Sequence, residues 1–306
     1  LLTNIANKDL AVNLDFQYIN AFFWYSDSYF LKWKIIKLLW DLQSLKVDTI
    51  IYPTYSRKYP VDWLVHQIKA TNKIGVDGDT LNQTLPFKLK GDTYYNELIK
   101  AGNDHLHEFD RNKQIFEAVT GQKCDFTKPF MTGLNIIQNE SIVIFPGGSE
   151  RAKRWPSEKF HQLCREIISK LHTHIILTGG KDELAVGDEI SNGILTDNLS
   201  NKTGALSLVE LSTVIGGAKL LISNDSVAVH IAVALDIPVI CISKGDLYGR
   251  FIPYPKHIYN GMENITPVSF HPTGDKYKQW SSSNIDEIAV EDVFNAARQS
   301  LNYKYN

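Results

Sequence analysis

A chain of 306 residues is long enough for one large or two medium domains, each with its own core, and two is the expected count. With 43% hydrophobic and 22% charged residues, the composition is that of an ordinary soluble globular protein rather than a disordered or fibrous one. A net charge of −2 supplies no basic field to neutralise a nucleic-acid backbone, so nucleic acid is not an expected partner.

Leu1-Leu2-Thr3-Asn4 reads as the end of a strand entering a turn, without an initiator methionine, so further chain is expected upstream. Over residues 29–45 apolar side chains recur at helical spacing, with Leu31, Ile35, Leu38, Leu39 and Leu42 on one face and Lys34, Lys37 and Asp41 opposite. A β-branched strand over 47–52 stops at Pro53, a helix follows over 60–70, and residues 73–76 form a strand before the turn Asp77-Gly78-Asp79. This alternation predicts a parallel α/β sheet in the first half.

Periodicity weakens over 127–140, which predicts a linker and domains of 1–135 and 136–306, the second ending in a helix. Strands are then expected over 141–145, 174–178, 219–223 and 238–242, with helices over 157–171, 182–190, 208–215 and 227–235. Loops at the carboxyl ends of such strands are where a ligand binds.

Cys124, Cys164 and Cys241 lie far apart with no C-x-x-C spacing, which argues against a zinc knuckle or a disulfide framework and fits a cytoplasmic location. No apolar run reaches the roughly 20 residues that span a bilayer, so membrane contact, if made, is expected to be peripheral, at the inner face.

Two segments carry chemistry. Phe145-Pro146-Gly147-Gly148-Ser149-Glu150-Arg151-Ala152-Lys153-Arg154-Trp155-Pro156 places two glycines, a hydroxyl and a basic cluster between a strand and a helix. Glycines let backbone N–H groups turn toward an anion, and Ser149 with Lys153 or Arg154 can bond phosphate oxygens. A Gly-rich turn with solvated basic residues is the alternative. The second segment, Ser223-Asn224-Asp225-Ser226-Val227-Ala228-Val229-His230, carries a strand end into a helix. Asp225 and Ser226 suit an N-cap, and His230 follows one turn later on the face of Ser226, near the positive helix end. A cap with a core histidine is the plainer reading of these residues.

Taken together, FPGGSERAKRWP, LTGGKDE over 177–183, NDSVAVHIAVALDIPVI over 224–240 and GDLYGRFIPYP over 245–255 resemble the heptosyltransferase family, glycosyltransferase family 9. The resemblance implies a GT-B fold, in which two Rossmann-like domains face each other across a cleft. The C-terminal domain then holds the nucleotide diphosphate sugar, and the N-terminal domain the glycan or glycolipid acceptor. By position, Gly147, Gly148, Ser149 and Lys153 resemble the phosphate-contacting loop and Glu183 the acid that reaches the donor ribose. Asp225, Ser226, Val227, Ala228 and His230 resemble the donor motif, with Val227 where the family usually has glycine. In the first half, VDTIIYPTYSR over 47–57 and KIGVDGD over 73–79 resemble one subgroup. That alignment implies a first domain lacking its first strand, with the family's catalytic carboxylate upstream of Leu1.

The implied activity is inverting, metal-independent transfer of a sugar to a cell-envelope saccharide, with no cofactor. The alternatives are a GT-B nucleotide-sugar epimerase and an inactive nucleotide-sugar-binding protein. Tyr55, Ser56 and Arg57 follow a strand end and are acceptor-side candidates or a plain surface turn. Asp77-Gly78-Asp79 has a metal-binding D-x-D form but reads better as a turn. The pairs His105/His107 and His172/His174 lack further ligands nearby and read as solvated. The helix bearing Lys32, Trp33, Lys34, Lys37 and Trp40 either rests on lipid or, as the reading preferred here, covers its own sheet.

Overall fold

A computed structural model describes residues 1–26, 34–102, 105–272 and 279–302. The chain divides into two compact units, Leu1–Phe126 and Thr127–Asn306. Residues 127–140, read from the sequence as a linker, belong to the second unit. Asn139 pins them there, its backbone N–H donating to Gly217 O at 2.8 Å and its side chain to Val214 O at 3.1 Å.

The first unit alternates strand and helix: β1 (Leu2–Asn4), α1 (Lys8–Leu14), β2 (Phe23–Tyr25), α2 (Lys34–Gln43), β3 (Thr49–Ile51), α3 (Tyr59–Gln67), β4 (Asn72–Val76), α4 (Leu85–Asp92), β5 (Glu97–Ile99) and α5 (Glu108–Thr120). β1 pairs with β2, and β3, β4 and β5 pair in that order, all parallel. Leu38 and Leu42 of α2 are buried with Leu64 and Ile68, against Leu2, Phe23, Tyr25 and Ile50 from the strands. α2 therefore covers its own strands, as the sequence pattern implies. Trp40 lies on the opposite face, 76% exposed, while Lys32 and Trp33 are outside the described residues.

In the second unit β6 (Ile142–Phe145), α6 (Ser157–Leu171), β7 (Ile175–Leu177), α7 (Leu184–Ser191), β8 (Leu199–Asn201), α8 (Leu208–Gly216), β9 (Leu220–Asn224), α9 (Val227–Ala234), β10 (Val239–Ile242), β11 (Met262–Ile265) and α10 (Val290–Asn302) build one sheet covered on both faces. Its order is β11-β10-β9-β6-β7-β8, every pair parallel.

Side chains alternate between the faces, so Ile142 and Ile144 of β6 meet Phe160, Leu163 and Ile167 of α6 and Val293 of α10. Val143 and Phe145 share the other face with Leu211 and Ile215 of α8 and Val229 and Val233 of α9. Burial on both sides explains why these strands are continuously apolar. Local signals set the helix starts. At α8, Ser207 and Glu210 form a reciprocal capping box, closed by Glu210 N to Ser207 Oγ at 3.2 Å and Ser207 N to Glu210 Oε2 at 2.7 Å. The strand order reverses between β6 and β9, the switch point where a doubly wound sheet opens a crevice at its carboxyl edge.

Candidate functional site

Two loops leave the sheet at that switch point: residues 146–156 after β6, and Asp225-Ser226 after β9. The first loop is anchored at both ends by Asn224, the last residue of β9. Its side-chain amide donates to Pro146 O at 2.6 Å and accepts the Trp155 N–H at 3.1 Å. Trp155 is 2% exposed, sends its indole N–H to Ile288 O at 3.0 Å and meets Phe160 edge-on. The loop thus hangs from the core at Trp155, leaving Ser149 exposed at its tip.

Between these anchors Arg154 folds back, its Nε donating to Gly148 O at 2.8 Å and its Nη2 lying 3.6 Å from Glu183 Oε1. Glu183 also accepts the Gly180 N–H at 2.6 Å. The Glu183 carboxyl packs so closely on Gly147 that a Cβ there would stand 3.1 Å from it and 2.6 Å from the Phe145 ring. Glycine at 147 is therefore required by packing, and the loops carrying Gly147-Gly148 and Gly179-Gly180 meet at Glu183. The residues alone leave Lys153 or Arg154 open as a phosphate ligand, and the family resemblance favours Lys153. The structure separates them: Arg154 ties the two loops together, and Lys153 points elsewhere, 4.0 Å from Asp246 Oδ2, 3.7 Å from Glu150 and 4.9 Å from the Trp280 ring centre.

The second loop differs from its expected role. Ser226 occupies the N-cap position of α9 but makes no side-chain cap hydrogen bond; its hydroxyl pairs with Ser223 Oγ at 2.9 Å. Its backbone is extended, as an N-cap residue's usually is, but its hydroxyl is engaged by Ser223, three residues back in β9, instead of by an α9 N–H. Asp225 donates its N–H to Ile242 O at 3.1 Å, and its carboxyl is pushed above the ordinary aspartate value by desolvation, with Lys153 opposing that rise and Asp246 adding to it. Val227 is 46% exposed on the first turn of α9, whereas Ala228 is fully buried in the core and presents no side chain to a ligand. His230 Nδ1 pairs with the Tyr254 hydroxyl at 2.8 Å, and burial pushes that phenol up to about 12. Lys153, Asp225, Ser226 and Glu183 are thus gathered at one end of one sheet. Asn224, which spans the loop bearing Lys153, and Tyr254, which pairs with His230, were not singled out from sequence, although both stand inside the segments quoted above.

In the first unit Tyr55, Ser56 and Arg57 are not a surface turn; they are 7%, 7% and 1% exposed. Arg111 stacks 3.7 Å over the Tyr55 ring, and Ser56 Oγ donates to Asp79 Oδ1 at 2.7 Å. Arg57 pairs with Asp62 at 3.1 Å and with Asp92, while Tyr95 donates to Asp62 at 2.6 Å. These three residues therefore brace the loop after β3 from within. Gly78 must be glycine, since a Cβ there would overlap Tyr55 O at 1.5 Å, and Asp77 is bonded to Lys88 at 2.7 Å. Both aspartates of the D-x-D form have side-chain partners in their own unit, Lys88 for Asp77 and Ser56 for Asp79, in a segment without regular structure. His107 accepts the Phe109 N–H at 3.1 Å as the N-cap of α5 and is 4% exposed, not solvated. His174 pairs with Ser200 Oγ at 3.0 Å.

The sequence profile of glycosyltransferase family 9 (heptosyltransferase) matches residues 61–260. Lipopolysaccharide heptosyltransferase 3 of Escherichia coli K12 is 32% identical over 168 residues, which are 54% of this chain and 47% of that protein. Lipopolysaccharide heptosyltransferase 1 of Campylobacter coli is 24% identical over 250 residues, 77% of this chain and 72% of that protein. The chain spans less than half the length of the heptosyltransferase 3 relatives it matches, 30% and 47%.

Among solved structures, the E. coli heptosyltransferase WaaC with ADP aligns with a TM-score of 0.69 at 16% identity, covering 98% of this chain and 99% of that one. E. coli ADP-heptose LPS heptosyltransferase II aligns with a TM-score of 0.65 at 14% identity, covering 100% and 89%. These likenesses establish the GT-B fold. With the profile matched across most of its length, the chain belongs to glycosyltransferase family 9, the heptosyltransferase family.

Proposed function

We propose that the protein transfers a sugar, by the likeness of its relatives a heptose, from a nucleoside diphosphate to a saccharide acceptor of the lipopolysaccharide kind. The observation that carries this reading is that Lys153, Glu183, Asp225 and Ser226 lie on the loops after three adjacent strands, β6, β7 and β9, at the carboxyl edge of a doubly wound sheet that includes its switch point, in a chain of this family. Glu183, between two glycine turns, suits the ribose hydroxyls. Gly147, Gly148, Ser149 and Lys153 suit the diphosphate, with the N-terminus of α9 adding its positive end.

The chemistry is a single displacement. An acceptor hydroxyl oxygen attacks the anomeric carbon from the face opposite the phosphate, its proton passes to a carboxylate base, and the carbon–oxygen bond to the diphosphate breaks with inversion. Charge grows on the leaving diphosphate as that bond breaks. A fixed ammonium and a helix N-terminus stabilise it where other transferases use a metal. The proposed setting is the cytoplasm, at the inner face of the membrane. The three cysteines are free, and no helix among the described residues is long and apolar enough to cross a membrane.

The test is incubation of the protein with ADP-heptose and a heptose-deficient lipopolysaccharide core, with and without EDTA. A gain of one heptosyl unit by the acceptor, undiminished by the chelator, is expected. No gain across a panel of sugar nucleotides and cores would overturn the transfer reading. Conversion of the nucleotide sugar to its epimer without acceptor would replace it with the epimerase. Loss of transfer in EDTA, restored by Mg²⁺, would end the metal-independent mechanism.

A further inference from the structure

Strands β10, β9 and β6 are neighbours in the sheet, and the loops that follow the outer two each carry a lysine, Lys244 after β10 and Lys153 after β6. Both approach one carboxylate. Asp246, its side chain 3% exposed, has Oδ1 at 3.6 Å from Lys244 Nζ and Oδ2 at 4.0 Å from Lys153 Nζ. Oδ1 is fixed by the Ser281 N–H at 2.7 Å, and Oδ2 accepts no hydrogen bond among the described residues. The Gln279 carbonyl accepts the Leu247 N–H at 2.8 Å, which ties the same two segments together a second time.

The distances decide what this arrangement does. At 3.6 and 4.0 Å neither ammonium is within hydrogen-bonding length of the carboxylate, so Asp246 orients the two cations by charge without taking up their donors. Each ammonium carries three N–H groups. The side chains are 17% and 15% exposed, which leaves each of them a face for a ligand. Asp225 and the first turn of α9 follow β9, the strand between β10 and β6. Asp246 already stands between the two ammoniums on their inner side, so an anion that uses both lysines meets them from the exposed side, and two linked phosphoryl groups carry enough oxygens to give each ammonium its own acceptor.

We infer that Lys244 is a second cation for the diphosphate of the sugar nucleotide, acting with Lys153 from the opposite side of the β9 loop and held in place with it by Asp246. This rests on the donor-site reading above. It adds a residue that the sequence did not mark, because Lys244 stands in no phosphate-binding pattern.

The experiment is calorimetric titration of ADP, with UDP and GDP in parallel, into the intact chain and its variants at one salt concentration. Lys244→Ala is expected to weaken nucleoside diphosphate binding about tenfold or more, the effect of losing a charged hydrogen bond. Lys244→Arg, which keeps the charge, should stay within about threefold of the unsubstituted chain. The double variant Lys244→Ala/Asp246→Asn distinguishes contact from mere neutralisation. If Lys244 touches phosphate, removing the Asp246 charge leaves binding weak. Restored affinity in the double variant would show that Lys244 only balances Asp246, and unchanged affinity in Lys244→Ala with an unaltered melting curve would equally overturn the inference. An unsubstituted chain that binds none of the three nucleotides would remove the donor-site reading itself, and this inference with it.

Discussion

The side-chain oxygen of Asn224 accepts the backbone N–H of Trp155 at 3.1 Å, joining the last residue of β9 to the far end of the loop that follows β6. Through its amide nitrogen the same side chain holds Pro146 O at 2.6 Å, so one residue sets the span of the phosphate-facing loop. Both bonds are buried, so removing the amide leaves a buried N–H and a buried carbonyl without their partner.

Asn224→Ala should therefore lower the unfolding free energy by about 2–4 kcal/mol, because a buried N–H and a buried carbonyl lose their partner together. Urea denaturation checks this. A loss under about 0.5 kcal/mol, the range of a neutral surface change, would mean that the loop is held by Trp155 alone.

At Ser226 the structure separates capping from binding. Because its hydroxyl bonds to Ser223 and not to an α9 N–H, Ser226→Ala should cost less than the roughly 1 kcal/mol of a lost cap while impairing donor binding or turnover. His230→Ala removes the partner of the Tyr254 hydroxyl and should cost about 1 kcal/mol while also impairing turnover. Thermal melts alongside nucleotide titrations measure both. Variants that unfold readily yet bind donor normally when folded would assign these two residues to structure.

Asp225 gives a pH-dependent signature. Desolvation raises its carboxyl above the ordinary value of 3.8, so the folded state favours the protonated form more than the unfolded chain does. That stabilisation is full below the unfolded value and is lost as pH rises through the folded one, so at neutral pH the ionised Asp225 is a net cost. Asp225→Asn should melt higher than the unsubstituted protein at neutral pH, and the gap should narrow as pH falls toward 3.8. A variant that melts lower at neutral pH would show that Lys153 more than compensates the burial.

Much of the second unit is legible in the sequence because its strands are buried on both faces and read as short apolar runs, as Ile142-Val143-Ile144-Phe145 does. The loops at their ends carry glycine and basic residues that stand out against such runs. The first unit is less legible for physical reasons. β2 and β5 are three residues long, too short to show a period, and α4 carries Leu85, Phe87 and Leu89 at strand-like alternation, all well exposed. Only Pro86 near its start marks α4 as a helix. Tyr55, Ser56 and Arg57 look like a polar turn, and nothing local reveals that Arg111, Asp79 and Asp92 reach them from elsewhere in the unit. Asn224 escapes for the same reason, its partners Pro146 and Trp155 being distant in sequence, whereas Lys244 escapes because it stands in no phosphate-binding pattern.

The central claim is that a nucleoside diphosphate sugar binds at the loop bearing Lys153, and the most direct measurement is a calorimetric titration of the chain and of Lys153→Ala with a sugar-nucleotide panel that includes ADP-heptose. Saturable binding of one member is expected, weakened in the variant by about 1.5–3 kcal/mol, as befits loss of a charged hydrogen bond, with the melting curve unchanged. Binding of equal strength in both proteins, or no binding by any member of the panel, would contradict it.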